Sequence, residues 1–172
     1  MITIAAFVIS LAAGQPAHAA SPDACALLSD ADIHAALGED VRARTPATQP
    51  AGSLLMAQCY FGAASARSVS LSVAARAASG PPSLTPREYW RRQFHADDRR
   101  RKKRDAGGEG GARPIAGIGD EAYWSGNRIA GALYVLSGET FIRVSVGGLT
   151  AEQERIGTSK RLAQAAMARL EK

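Results

Sequence analysis

Ser68-Val69-Ser70-Leu71-Ser72-Val73 alternates without exception, with apolar side chains at the odd positions and serines at the even ones. A period of two belongs to a strand, and one apolar face with one hydroxyl-bearing face marks a strand that is covered on one side and wet on the other. Upstream, Leu54 to Phe61 is also strand-like. Downstream, Leu133-Tyr-Val-Leu136 and Phe141-Ile-Arg-Val-Ser-Val146 read as two strands of a hairpin closed by Ser137-Gly138-Glu139-Thr140, and Gly126-Asn127 marks a tight turn before them. Strands with one polar face, short turns and few crossover helices predict an antiparallel sheet with helices packed on one face. The expected class is therefore α+β, not a doubly wound parallel sheet. Residues 39 to 53, with Thr45-Pro46, Gln49-Pro50 and Gly52, read as an irregular loop.

Three helix starts stand out. Ser29 is an N-cap, Asp32 is its capping-box partner, Leu28 and Ile33 occupy the hydrophobic-staple positions, and Gly38 ends the short helix. Thr85-Pro86-Arg87-Glu88 combines an N-cap, a proline at the first helical position and a capping-box glutamate, and Trp90 and Phe94 follow one turn apart. The last helix is expected from Thr150, with Ile156, Ala163, Ala166, Met167 and Leu170 on one stripe and Gly157 as an interruption.

Residues 1 to 19 read as a secretory signal: an apolar run from Ile2 to Ala13, then Ala17-His18-Ala19 as an A-x-A cleavage pattern. No other apolar stretch approaches the roughly 20 residues that a membrane helix needs. The expectation is an exported protein, periplasmic or extracellular and soluble after cleavage, with residues 20–172 forming a single domain. In an oxidising compartment two cysteines allow one connectivity, so Cys25 and Cys59 are expected to form a disulfide. Their spacing is not C-x-x-C and neither has a histidine at ligand spacing, which argues against a zinc or thiol-redox site.

The charge is local. Residues 87 to 104 hold nine Lys or Arg against three Asp or Glu, while the rest of the chain has twelve against thirteen. Arg91 and Arg92 run into Arg99, Arg100, Arg101, Lys102, Lys103 and Arg104, followed by a glycine-rich stretch, so an exposed basic loop is expected at about 97–113. Such a cluster suits an anionic envelope polymer, a lipid headgroup or an acidic protein. Export makes nucleic acid an unlikely partner.

Motifs that carry chemistry are weak. Gly117-x-Gly119-x-x-Ala122 matches a loose dinucleotide fingerprint, but a proline-containing loop precedes it and a strand follows, where that fingerprint needs a strand and then a helix. Gly107 to Gly111 lacks the Gly-Lys-Ser/Thr ending of a phosphate-cradling loop. His34 and His95 lie in no nucleophile motif, and Asp120 and Glu121, adjacent in a strand, would point to opposite faces. No catalytic residue, cofactor or metal is expected. Two readings remain: a non-enzymatic exported binding domain acting through the basic helix and loop, and a cell-envelope enzyme of hydrolase type whose site leaves no signature.

Cys25-x-Leu27-Leu28-Ser29 opening a short helix, Cys59-Tyr60-Phe61, and the Gly117-Ile-Gly-Asp-Glu-Ala-Tyr123 box before a hairpin and a terminal helix resemble the small exported bacterial proteins and lipoproteins of unknown function. The resemblance covers most of residues 25 to 170 and implies an exported, disulfide-bonded α+β domain with no catalytic residues to assign. Gln15 stands where a lipidated cysteine would belong. The leader reading has a direct check: N-terminal sequencing of the protein from the envelope fraction should begin near Ala20, and recovery of the intact chain from the cytoplasm would overturn it.

Overall fold

The computed structural model describes residues 22–51, 54–76, 84–95 and 112–170. The proposed signal and the basic run from Arg99 to Arg104 lie outside them. Seven strands form one antiparallel sheet: β1 (Ala43–Ala51), β2 (Leu54–Gly62), β3 (Ser68–Arg76), β4 (Arg113–Pro114), β5 (Glu121–Gly126), β6 (Gly131–Ser137) and β7 (Thr140–Gly147). Their spatial order is β1-β2-β3-β7-β6-β5-β4. Two meanders, β1 to β3 and β4 to β7, thus meet where their last strands pair, from Ser68 opposite Gly147 to Ala74 opposite Phe141. The helices are α1 (Asp30–Leu37), α2 (Pro86–Phe94) and α3 (Glu152–Leu170).

The α+β class with an antiparallel sheet is what the alternating strands predict. Val69, Leu71 and Val73 join the main core, which includes Leu28, Ile33 and Leu37 from the α1 region and Leu162, Ala163 and Ala166 from α3. Those two helices share this inner face. The expectation that the helices share one face is amended for α2. Trp90 and Phe94 build a second cluster on the outer face with Leu54, Ala74, Leu136 and Phe141. Strand parity explains the split, because Leu136 and Phe141 alternate with the inward residues Val135 and Ile142.

Residues 43 to 51, read from sequence as an irregular loop, are an edge strand in full register with β2, Pro46 opposite Cys59 and Pro50 opposite Leu55. Proline gives the sheet no N–H donor and is therefore tolerated at an edge. The two prolines are four residues apart, so their nitrogens face the same way, and an edge strand has one side on which no donor is required.

Local signals placed α1 as expected. Ser29 Oγ accepts from Asp32 N at 3.2 Å and Asp32 Oδ2 accepts from Ser29 N at 2.8 Å, while Gly38 closes the helix at φ 72° and donates its N–H to His34 O. Cys25 and Cys59 are joined, Cα to Cα 5.0 Å, across a sequence separation of 34. Closing a loop of that length stabilises by about 3–4 kcal/mol in the chain-entropy picture. The bond fixes the segment before α1 to the middle of β2.

α3 runs unbroken through Gly157, contrary to the expected interruption. An interior glycine costs about 1 kcal/mol relative to alanine, which is small against burial of Thr158, Ser159 and Leu162 in the following turn. Arg155 is 1 % exposed. Its Nη1 donates to Leu149 O at 2.8 Å and Thr150 O at 2.9 Å, and its Nη2 to Asn127 O at 2.8 Å and Arg128 O at 3.1 Å. A guanidinium with five donors in a fixed fork is suited to such a carbonyl cage. It ties the start of α3 to the turn between β5 and β6. Arg155→Met would strand those carbonyls, and urea titration should show a loss of roughly 2–4 kcal/mol. A loss below about 0.5 kcal/mol, the range of ordinary surface changes, would show that the cage holds nothing together.

Candidate interaction surface

The candidate surface is organised by α2. Thr85 and Glu88 exchange the two capping-box hydrogen bonds at 3.1 and 2.7 Å, and Pro86 stands in the first turn. Trp90 is fully buried, packed edge-on against Phe141 at 5.4 Å, and Phe94 stacks on Tyr123 at 4.7 Å between ring centroids. Aromatic pairs in these geometries add about 0.5–1.5 kcal/mol each beyond the area they bury.

Two polar ties secure the helix. Arg87 Nη2 donates to Asp120 Oδ2 at 2.6 Å and to Gly138 O at 2.8 Å, while Gly138 N donates to the same carboxylate oxygen at 3.1 Å. The Arg87 hydrogen bond and then the Gly138 N–H hold Asp120 below the usual carboxylate range. At the other end, Glu121 Oε2 accepts from Trp90 Nε1 at 3.0 Å and lies 2.7 Å from His95 Nε2. The Trp90 hydrogen bond, followed by His95, lowers the Glu121 pKa. Asp120 and Glu121 were expected to face opposite sides of the sheet. Both instead serve α2, because Asp120 lies in the turn before β5 and not within it. Each carboxylate has its own structural partners, and no acid–base pair forms between them.

The Gly117 and Gly119 box is that turn. Both glycines have positive φ, 74° and 59°, and a Cβ at Gly119 would run into the carbonyl oxygen of Leu136. The chain then enters β5, so the dinucleotide reading has no helix N-terminus to use.

Of the sequence-identified cations, Arg91 and Arg92 lie exposed on α2, and neither is engaged by a carboxylate among the described residues. Arg99, Arg100, Arg101, Lys102, Lys103 and Arg104 lie outside the described residues. Arg87 separates from the group, since Asp120 and Glu139 hold it to the hairpin. Cys25 and Cys59 are brought together as the disulfide, far from any cluster with metal-binding character; among the described residues no group of three His, Cys, Asp or Glu side chains is placed to hold a metal ion.

Two residues were not singled out from the sequence: Arg143, a cation on the central strand, and Glu121 as the anchor of α2. Arg143 had a visible signal, as the one charged residue in the alternating segment Phe141 to Val146. A cleft of about 290 Å³ at one end of the sheet is lined by Pro22, Val73, Ala74, Pro86, Glu139, Thr140 and Leu170. That lining is mostly apolar, and its one carboxylate is already paired with Arg87. It lacks the convergent polar groups of a catalytic pocket. His95 and Glu121 form a histidine–carboxylate pair, but no hydroxyl or thiol is hydrogen-bonded to the imidazole among the described residues.

The fold and these contacts define an antiparallel α+β domain with one disulfide and a helix riveted to the outer sheet face. Compared with known protein families, curated proteins and solved structures, the chain matches none. No helix among the described residues is long and apolar enough to cross a membrane.

The Glu121 anchor has a pH signature. Its folded-state pKa lies below the unfolded value of about 4.3, so the anchor contributes stability above that value and loses it as pH falls through the folded-state pKa. Glu121→Gln should lower the melting temperature at pH 7 and flatten part of the decline between about pH 5 and pH 3. Parallel melting curves for both proteins across that range would sink the assignment.

Proposed function

We propose that the protein is an exported, non-enzymatic binding domain that contacts an anionic envelope component through the basic helix and the loop that follows it. The observation that carries this reading is the confinement of positive charge. Residues 87 to 104 carry nine basic and three acidic side chains against a near-neutral remainder, and Arg91 and Arg92, the two candidate cations on described backbone, are exposed with no ion pair among the described residues. Arg87, Trp90 and His95 fix the helix by one side, which leaves the exposed cations free of structural work. Arg91, Arg92, Arg99, Arg100, Arg101, Lys102, Lys103 and Arg104 are the proposed contacts. The resemblance to small exported proteins and lipoproteins of unknown function agrees with export and adds no activity.

The test neutralises Arg99 to Arg104 to Gln or Ser and compares the variant with the parent for retention on anionic vesicles and on acidic envelope polysaccharide over a salt series. Retention by the parent should fall steeply as salt rises, since exposed charges are screened over roughly 8 Å at physiological ionic strength. The variant should lose retention while its melting temperature holds. Equal, salt-insensitive retention of both proteins, or none by either, would defeat the reading.

A further inference from the structure

Among the described residues, α2 is the one helix on the outer face of the sheet, and it covers only part of it. α2 lies over the row that contains Met56, Ala74, Phe141 and Leu136, and the next rows run Gln58, Ser72, Arg143, Tyr134 and Tyr60, Ser70, Ser145 across hydrogen-bonded strands. Solvated sheet faces are ordinarily furnished with long charged side chains. Here they are serines, a glutamine and tyrosines around a single cation, and that cation stands on β7, the middle strand of seven.

Arg143 has no carboxylate partner among the described residues. Its Nε donates to Tyr134 Oη at 3.3 Å and its guanidinium lies 5.8 Å from the centre of the Tyr134 ring, and among the described residues the two terminal nitrogens have no acceptor. The neighbouring hydroxyls have the same bias. Ser70 Oγ accepts from Gln58 Nε2 at 2.9 Å and Tyr134 Oη accepts from Arg143, so in both cases the O–H hydrogen remains to be given; Ser72 Oγ makes no hydrogen bond among the described residues. Tyr134 and the buried Ser72, 6 % exposed, are the direct cross-strand neighbours of Arg143, and Ser70 is diagonal to it, so Tyr134 and Ser70 are within reach of one group bound at Arg143. The terminal nitrogens of Arg143 and the hydroxyls of Ser70 and Tyr134 are therefore donors left to give, beside one amide acceptor, Gln58 Oε1.

We propose that this patch binds the carboxylate of an acidic polysaccharide, with Arg143 as the charge partner and Ser70 and Tyr134 as hydroxyl donors. One guanidinium balances one negative charge, and its planar fork matches a carboxylate in bidentate geometry; a phosphate dianion would keep half its charge uncompensated. The short side chains of Ser70 and Ser145 in the next row leave room for a sugar ring close to the strands. The site is separate from the basic run and does not depend on it.

The experiment measures binding of polygalacturonate to the full chain, with neutral dextran and monomeric galacturonate as controls. The proteins are the parent, Arg143→Gln, Arg143→Lys, and each of these in the background with Arg99 to Arg104 neutralised. The parent should bind the polymer and not dextran, and Arg143→Gln should weaken binding about tenfold or more, by the same factor in both backgrounds. Arg143→Lys, which keeps charge and loses the fork, should fall between. No binding of polygalacturonate by the parent, or equal affinity of parent and Arg143→Gln, would overturn the site and leave the basic-run reading to its own test. Monomer binding as tight as the polymer would overturn the polysaccharide assignment. If Arg143→Gln lowers the melting temperature, Ser70→Ala decides the matter: unchanged affinity in that variant overturns the proposal, and a several-fold loss upholds it.

Discussion

The pairing of β3 with β7 is the joint on which the molecule depends. Each meander can form by local hairpin pairing, but neither has both a sheet of useful width and a complete set of covering helices. Joining Ser68 to Gly147 through Ala74 to Phe141 places Val69, Leu71 and Val73 beside Val146, Val144 and Ile142. That row is the floor on which α1 and α3 pack together. The contact spans some seventy residues of chain, so its loop-closure entropy must be met by burial on both faces at once. α2 helps by sitting across the joint on the outer side, where Trp90 touches Phe141 of β7 and clusters with Ala74 of β3.

A seven-stranded open sheet has two edges to protect, and both carry proline. β1 presents Pro46 and Pro50, and β4 is a two-residue strand containing Pro114. Every described side chain of β1 is exposed, so the strand adds little burial. Its positioning must come largely from the ladder to β2, from Arg44 bonded to Asp30 of α1, and from the guanidinium of Arg44 5.3 Å from the centre of the Phe61 ring. An edge deprived of two outward donors is a poor template for strand addition.

How much of this was legible follows from how local each signal is. α1 could be placed to the residue because cap, box and terminating glycine lie within ten positions of one another, and the capping box of α2 is equally local. β3 and the β6–β7 hairpin were legible from alternation. β1 was not, because Pro46 and Pro50 break a central strand and are harmless in an edge strand, and position in the sheet is a property of the whole fold. The side of the sheet that α2 would take was equally hidden: Trp90 and Phe94 declare a buried stripe without saying which face receives it. Arg155 could not be foreseen as a buried cation, since half of its carbonyl cage comes from Asn127 and Arg128, brought close by the β5–β6 turn. Of the candidate site, the exposed Arg91 and Arg92 were legible as charge. The separation of Arg87 from them was not, because it depends on the position of Asp120 and Glu139 after folding.

The two faces of the sheet differ in what they can be asked to do. The inner face is sealed by α1, α3 and the disulfide, and a substitution there acts through packing. On the outer face α2 is fastened along one side by Arg87 to Asp120 and by Trp90 and His95 to Glu121, all toward β5 and the hairpin turn. Fastening by one side leaves the rows around Arg143 uncovered by α2, with Arg143 itself half-buried among Ser72 and Tyr134. The outer face is thus the place where a positive surface meets a rigid floor, since β7 is held on both flanks by β3 and β6. A cation presented by a strand held on both flanks loses little freedom on binding. On the two proposed readings, the basic run would draw an anionic polymer in at long range and the patch would read its individual groups.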